Sequence, residues 1–590
     1  MDSDKGLEVS ARPKASKLTT LPLYWPSRLN NLSITCKQLN SVMRPRLYRE
    51  LSIVLPRYWS SAMFLENLLD SGAEGLQFTK SITISMQTDE LGAPSESYDH
   101  EDDGLDLGHD VDWEDQEDDL GQKHYQPRVL NTLLRLLISK VPNGRLQTFR
   151  WCHTTQISRR TLELVARRHG HCLKTLQIYK TPTYKSTVDF SALTTLDAGD
   201  IDPYFACFWP SKSLANSHKS LIHLKLGCER FLALSYLDKN DLMTASAALE
   251  FTQNLDNDIR DHLPARFQEY SKSKLESSLP TSILTLESLH LVGIDCGYTP
   301  EMGEPTMLDI DNLTSLCLES CFNLGQSFPA PSSLRSPDAP SLLPQLRSFR
   351  LRQESSDASF QDGLKAFLLA LKGLVHLSIL LKGSGPFFPP DCFVGNHGST
   401  LRTLVWDQRL GPRERLDAST NTATPSMMSR FLIKIVKKCP NLRELGLAVN
   451  ALTNEEHSFD PYQISLLKYL KTLNIRVLPT QKADTKTSSF PRIHEVLAMD
   501  VANALLPYGS RLETLGLGST TWTDIWRGRS REFRSDSVET YLCPRIFHID
   551  YPINLRGKRQ PLVTQIAQGT LTEAKEYSSN LRIFEPYWLG

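Results

Sequence analysis

The 590 residues, 40% apolar and 23% charged, exceed one ordinary hydrophobic core and leave either several domains or one elongated array. No run approaches the ~18 consecutive apolar residues of a membrane helix, and the charged start MDSDKGLEVSARPKASKL lacks the apolar stretch of a secretory leader, so neither a membrane partner nor export is expected. The net charge of −1 hides a segregation: 15 Asp and Glu and no Lys or Arg lie between Asp89 and Asp119, which leaves the remaining chain at about +14. Eleven scattered cysteines, an odd number without framework spacing, suit reduced thiols and a cytoplasmic or nuclear setting.

In chain order, residues 1–20 are poor in apolar side chains and predicted to be a disordered tail. Within 21–50, Leu32, Cys36, Leu39 and Met43 recur every three or four positions, which predicts a helix over Asn30–Met43 that Pro45 should end. Residues 51–87 read as a first repeat-like unit. Leu51, Ile53 and Leu55 alternate as in a strand; Ala62, Leu65, Leu68 and Leu69 mark a helix capped at Ser60 or Ser61 and ended by Gly72; Ile82 and Ile84 mark a second strand. Residues 88–122 hold the acidic block and are predicted to be a disordered loop, because they bury too little apolar surface to offset the entropy of ordering.

From 123 to 560 one phrase recurs: a leading leucine, two variable residues, an apolar residue, one variable residue and another apolar residue. It reads LQTFRW from Leu146, LKTLQI from Leu173, LIHLKL from Leu221, LESLHL from Leu286, LTSLCL from Leu313 and LRSFRL from Leu346. It continues as LVHLSI from Leu374, LRTLVW from Leu401, LRELGL from Leu442, LKTLNI from Leu470 and LETLGL from Leu512. Copies lie mostly 27 to 42 residues apart, with helical segments such as LELVARRHG and FLIKIVKKCP between them, a leucine-rich-repeat period. The fold expected is therefore α/β, a leucine-rich-repeat solenoid, or horseshoe, of short parallel strands and helices. Gly170, Gly398 and Gly509 each stand three residues before a leading leucine, where a left-handed helix C-cap fits, and Pro440 forbids helix continuation. Insertions are predicted near 227–280, 407–428 and 477–490; a strand from Ile546 should close the array, with 561–590 as a C-terminal cap or tail.

In a strand the second and third apolar residues of each phrase face the core, and the residues between and beside them face the open, concave side. Those positions bring Arg150, His223, Lys225, His290, Arg350, Arg352, His376 and Arg476 to that side, against Glu319, Asp407 and Glu444. A modestly basic face results, the expected docking surface for an unidentified protein partner. The acidic loop is a candidate to cover that face, or the face to prefer acidic partners.

The stretch NNLSITCKQLNSVMRPRLYREL, Asn30 to Leu51, resembles the second half of an F-box as found in fungal F-box proteins with leucine-rich repeats, through Leu32, Ile34, Cys36, Lys37, Leu39, Pro45, Leu47 and Tyr48. The resemblance implies a short helical F-box-like remnant ahead of the solenoid and a substrate receptor of a cullin–RING ubiquitin ligase. It would dock on a Skp-type adaptor through Leu21, Pro22, Leu29, Leu32, Ile34, Cys36 and Leu39. The sequence departs from the family after Leu21-Pro22, where Leu23, Tyr24, Trp25 and Pro26 replace an acidic residue and an apolar helix. The alternative is a ligase-independent interaction scaffold whose box remnant caps the solenoid.

Chemical motifs are sparse. Asp99, Glu101, Asp103, Gly104 and Asp110 mimic a calcium loop, but their flanks are not helical and a solvated acidic loop is the reading adopted. Cys152-His153 and His169-Gly170-His171-Cys172 hold potential zinc ligands without the spacing that structural zinc requires, so no metal or other cofactor is expected. No GxSxG elbow, HExxH, phosphate loop or dinucleotide fingerprint occurs in its proper context, which argues against an enzyme. The basic residues are interspersed rather than gathered into a stripe with aromatics, which argues against a nucleic-acid partner.

Overall fold

Each of the eleven phrases becomes a strand in the computed structural model, and every leading leucine is 4% exposed or less. The structure describes residues 37–55, 65–66, 69, 74–86, 125–153, 156–179, 188, 190–199, 217, 220–227, 284–293, 308–309, 312–321, 324, 343–353, 358–383, 391–410, 425–450, 461–477, 490–518 and 545–568 apart from 555. They fall into two compact units, one up to Thr175 and one from Leu176. The expected tail, acidic loop and 227–280 insertion lie outside the described residues, save Gly227. No helix among the described residues is long and apolar enough to cross a membrane.

In the first unit, helix α1 (Lys37–Leu47) leads into parallel strands β1 (Glu50–Leu55), β2 (Ser81–Met86) and β3 (Thr148–Cys152). The register pairs Ile53 with Ile84 and Ile84 with Trp151, so apolar residues stack from strand to strand on one face. The helix does not end at Pro45: it continues to Leu47, and Tyr48 N donates to Arg44 O at 3.0 Å. Pro45 lacks the N–H that would bond the carbonyl of Ser41, a cost offset by burial of Met43 and Leu47 on either side of it. Helix α2 (Tyr125–Lys140) buries Leu130, Leu133, Leu134, Leu137 and Ile138, the i, i+3, i+4, i+7, i+8 stripe of an amphipathic helix. Helix α3 (Arg159–His169) starts at Ser158, whose side chain accepts from Thr161 N. Buried Asn131 ties the two together, accepting from Ser158 N at 2.8 Å and donating to Gln156 O at 3.3 Å.

The second unit takes in β4 (Thr175–Ile178), β5 (Thr195–Ala198), β6 (His223–Gly227), β8 (Ser288–Val292), β10 (Ser315–Glu319), β11 (Ser348–Gln353), β12 (His376–Gly383), β13 (Thr403–Leu410), β14 (Glu444–Asn450), β15 (Thr472–Val477) and β16 (Thr514–Leu517), neighbours in that order. Short strands β7 (Leu284–Thr285) and β9 (Leu308–Asp309) pair separately. The ladder from β5 to β16 is parallel. It then reverses: β17 (Arg545–Asp550) runs antiparallel to β16, and β18 (Leu562–Gln568) antiparallel to β17, so the strand at Ile546 is followed by one more. Helices α4 (Ala358–Ala370), α5 (Asp391–His397), α6 (Pro425–Lys438), α7 (Pro461–Ser465) and α8 (Phe490–Leu505) pack each against the next. Between helices and strands Trp406 stacks on Phe393 at 5.1 Å and meets Phe431 at 5.6 Å. The arrangement is α/β, an open and mostly parallel ladder with helical crossovers, compatible with a solenoid.

Strand β5 corrects the spacing read from sequence. Its phrase, LTTLDA from Leu193, ends in Ala198 rather than a large apolar residue and escaped the pattern, yet Leu193, Leu196 and Ala198 are fully buried. Neighbouring repeats share a backbone device: the carbonyl after the leading leucine accepts two consecutive N–H groups of the next phrase. Arg347 O accepts Val375 N (2.8 Å) and His376 N (3.0 Å); Arg402 O accepts Arg443 N (2.8 Å) and Glu444 N (3.0 Å).

Of the three glycines assigned to left-handed caps, only Gly509 adopts that conformation, at φ +73°. Gly170 is right-handed, at φ −52°. Gly398 is not among the positive-φ residues; a Cβ there would collide with the carbonyl oxygens of Lys438 and Val394, so close backbone approach excludes a side chain.

Candidate functional site

The face of the ladder opposite the leucines carries three columns of side chains, because strand residues two apart share a face and parallel register aligns them across strands. In the second unit one column runs Gln177, Asp197, Lys225, His290, Cys317, Arg350. A second begins Thr195, His223, Ser288, Ser315, Ser348, His376, Thr403, Glu444, Thr472 and Thr514. A third holds Glu319 beside Arg352, with Asp407 beside Leu380. Strands ~4.8 Å apart put column neighbours within reach of one another.

The cations and carboxylates of these columns pair. Lys225 Nζ lies 3.3 Å from Asp197 Oδ2, which also accepts from Gln177 Nε2 at 2.9 Å. His290 Nε2 is 3.0 Å from Glu319 Oε1. Arg476 Nε donates to Asp407 Oδ2 at 2.8 Å. His376 Nδ1 is 3.0 Å from Thr403 Oγ1, which donates to Glu444 Oε2 at 3.3 Å. With Asp197 included, the three columns hold, among the described side chains of this unit, four carboxylates, Asp197, Glu319, Asp407 and Glu444, against four permanent cations, Lys225, Arg350, Arg352 and Arg476. On the face read from sequence as basic, Lys225 and Arg476 are thus each paired with a carboxylate. Asp197 was missed with its phrase, and it supplies the balancing charge.

The expected partner-binding residues differ in exposure. In the second unit, His223 is exposed, His290, Arg350 and His376 are half-buried, and Lys225, Arg352 and Arg476 are buried. Arg150 is exposed on β3 of the first unit. Burial lowers the pKa of His290 below the usual histidine value, outweighing the nearby Glu319 carboxylate. Burial and the Glu319 charge push the Cys317 thiol well up, against the opposing pull of Arg350 and Lys225.

Cys317 did not figure in the sequence reading, although the fifth position of LTSLCL assigns it to this face. Its Sγ donates to Glu319 Oε1 at 3.8 Å, and the ligand atoms of His290, Cys317 and Glu319 all lie within 4.8 Å of one another. Among the described residues this is the one group of three such side chains close enough to hold a metal ion. Of the cysteines and histidines weighed for zinc, Cys172 bonds two backbone carbonyls, its Sγ donating to Leu146 O (3.3 Å) and His169 O (3.2 Å), and His169 is wholly enclosed.

Of the expected adaptor-binding residues, Leu21, Pro22, Leu29, Leu32, Ile34 and Cys36 lie outside the described residues, and Leu39 lies in α1. Farther along that helix, Met43 and Leu47 are buried, Arg44 Nη1 pairs with Glu74 at 2.7 Å, and the Tyr48 ring covers Gly75. No protein-family model matches the chain, and no curated protein matches its sequence.

Proposed function

We propose that the chain is a non-enzymatic recognition protein that holds a protein partner on the polar columns of a leucine-rich-repeat horseshoe and acts as the substrate receptor of a cullin–RING ubiquitin ligase. The observation supporting it is the register: ten consecutive parallel strands, β5 to β16, repeat one buried pattern while the residues on the other face vary from strand to strand. A surface so built varies its chemistry without disturbing its core. On this reading the mechanism is proximity, with the repeats holding the partner while the segment resembling an F-box recruits the ligase through a Skp-type adaptor. The test is co-purification of the full chain with such an adaptor. Micromolar binding that Leu32→Ala and Leu39→Ala weaken supports the receptor; no binding by the folded wild type removes it.

The packing of α1 favours a second reading, a ligase-independent intracellular scaffold. Met43 and Leu47 are buried and Tyr48 covers Gly75, the contacts of an N-terminal cap on the first repeat. Adaptor binding separates the two, since a cap requires none.

A further inference from the structure

We propose that His290, Cys317 and Glu319 form a binding site for a single zinc-class divalent ion, with a fourth coordination position left for water or a ligand. The proposal is independent of the partner-binding reading and rests on geometry and donor chemistry.

The three side chains come from two adjacent parallel strands. Cys317 is the register partner of His290, and Glu319 follows Cys317 by two residues and so shares its face. Two rigid strands fix the three Cα positions before any ion arrives, which reduces the ordering cost of assembling the site. The donor atoms converge: Nε2 to Oε1 is 3.0 Å, Sγ to Oε1 is 3.8 Å, and all three lie within 4.8 Å of one another. Zinc bonds of ~2.0–2.1 Å to nitrogen, ~2.0–2.2 Å to oxygen and ~2.3 Å to sulfur make tetrahedron edges of roughly 3.3–3.7 Å. The Nε2–Oε1 and Sγ–Oε1 separations lie a few tenths of an ångström either side of those edges, and Nε2–Sγ, within 4.8 Å, closes by up to about 1 Å to seat the ion.

Imidazole, thiol and carboxylate together select the metal. Calcium and magnesium require oxygen ligands, whereas a mixed nitrogen, sulfur and oxygen set suits zinc. Two hydrogen bonds to one carboxylate oxygen, from His290 Nε2 at 3.0 Å and Cys317 Sγ at 3.8 Å, gather the three donor groups around a single point. Charge is accommodated. Binding releases the Cys317 proton to solvent, and one thiolate plus one carboxylate neutralise the divalent ion. The nearby Lys225 is compensated by Asp197 at 3.3 Å.

Three protein ligands and one free position is the pattern of an open zinc site rather than a closed structural one. The His290 side chain is 12% exposed while that of Glu319 is 4% exposed, so the site lies just beneath the polar face.

The test uses the full chain with zinc or cobalt as the only probe. The wild type should retain one equivalent of zinc through dialysis at submicromolar free metal. Its cobalt adduct should show a thiolate-to-cobalt charge-transfer band that Cys317→Ser abolishes and Cys321→Ser preserves. His290→Gln and Glu319→Gln should weaken zinc binding by at least the roughly 10–100-fold that loss of an outer-shell partner causes. Absence of bound metal in the wild type overturns the proposal, and so does a charge-transfer band that survives Cys317→Ser. Should Cys317→Ser fail to fold, Glu319→Gln reads the same site without changing side-chain shape, and unchanged affinity there overturns it equally.

Discussion

Arg476 reaches across strand β14 to donate from Nε to Asp407 Oδ2 at 2.8 Å, and both side chains are nearly closed off from solvent, at 2% and 0% exposed. On the intervening strand the register with β15 shifts after Leu447, and the next residue, buried Ala448, carries only a methyl group. Removing one member of such a pair leaves an uncompensated buried charge, at a cost of about 3–5 kcal/mol. Asp407→Asn and Arg476→Met should each lower the urea midpoint accordingly. The double variant Asp407→Leu with Arg476→Met should recover most of the loss, because it removes both charges from the interior. Equal losses in single and double variants would refute an electrostatic origin.

Repeats are also joined at the residue before the leading leucine. Thr400 Oγ1 donates to Leu374 O (2.7 Å) and shares His397 O (2.9 Å); Ser220 Oγ likewise donates to Leu193 O (2.8 Å) and shares Ser217 O (3.2 Å); Cys172 repeats the pattern with Leu146 and His169. Each small polar side chain bonds the leading leucine's carbonyl in the preceding repeat. Thr400→Val keeps the shape and orphans the carbonyls, which should cost about 1–2 kcal/mol in denaturant unfolding, and Ser220→Ala about 1 kcal/mol.

The core was legible because burial imposes one alternation on every strand, and a leading leucine tolerates few replacements. Phrases ending in large apolar residues were readable, while LTTLDA from Leu193 was not, since Ala198 fills its place as fully as a larger residue elsewhere. The site was legible by column but not by pairing. Arg476 and Asp407 lie 69 residues apart and two strands apart, and nothing local in the chain announces that they meet. Cys317 was readable in principle, because its phrase position alone assigns it to the polar face. Pro45 shows the opposite error: a local rule placed a helix end that tertiary packing of Leu47 moved two residues on.

Acid should destabilise the first unit through two enclosed histidines. Burial lowers the pKa of His153 to about 4 and, with Arg168 and His171 adding to it, that of His169 to about 4. The unfolded chain binds protons near pH 6.5 and the folded chain does not, so their stabilisation is complete above 6.5 and is lost as pH falls toward 4. Each contributes up to about 3 kcal/mol over that window. His169→Phe should flatten the pH dependence of unfolding between 6.5 and 4 while leaving stability at pH 7.5 within about 1 kcal/mol. A slope unchanged from wild type would rule out His169 as its source.

Gly398 and Gly509 occupy equivalent sequence positions and should respond differently to alanine. At Gly509 the backbone is left-handed with open space around it, so Gly509→Ala costs only conformational strain, about 1–2 kcal/mol. At Gly398 the new methyl meets the Lys438 and Val394 carbonyls, one of them at the end of α6, so α5 and α6 must separate. Gly398→Ala should therefore lose more, roughly 3 kcal/mol or above, and should speed amide exchange in both helices. Equal losses at the two sites would contradict the difference in cause.

The contact of Tyr48 with Gly75 decides how firmly α1 is held. A Cβ on Gly75 would lie 2.5 Å from ring carbons of Tyr48, so Gly75→Ala forces the ring off its seat. Overpacking of this kind costs about 1–3 kcal/mol, and here it acts on the end of the helix that Met43 and Leu47 anchor. Hydrogen exchange should then quicken in residues 37–55 while the ladder from β5 to β16 keeps its protection. If α1 is a cap, the first unit of Gly75→Ala also unfolds at lower temperature. Adaptor affinity measured on the same variant distinguishes the two readings: a receptor whose α1 must leave its seat to dock gains affinity as the seat loosens, whereas a pure cap binds no adaptor in either form.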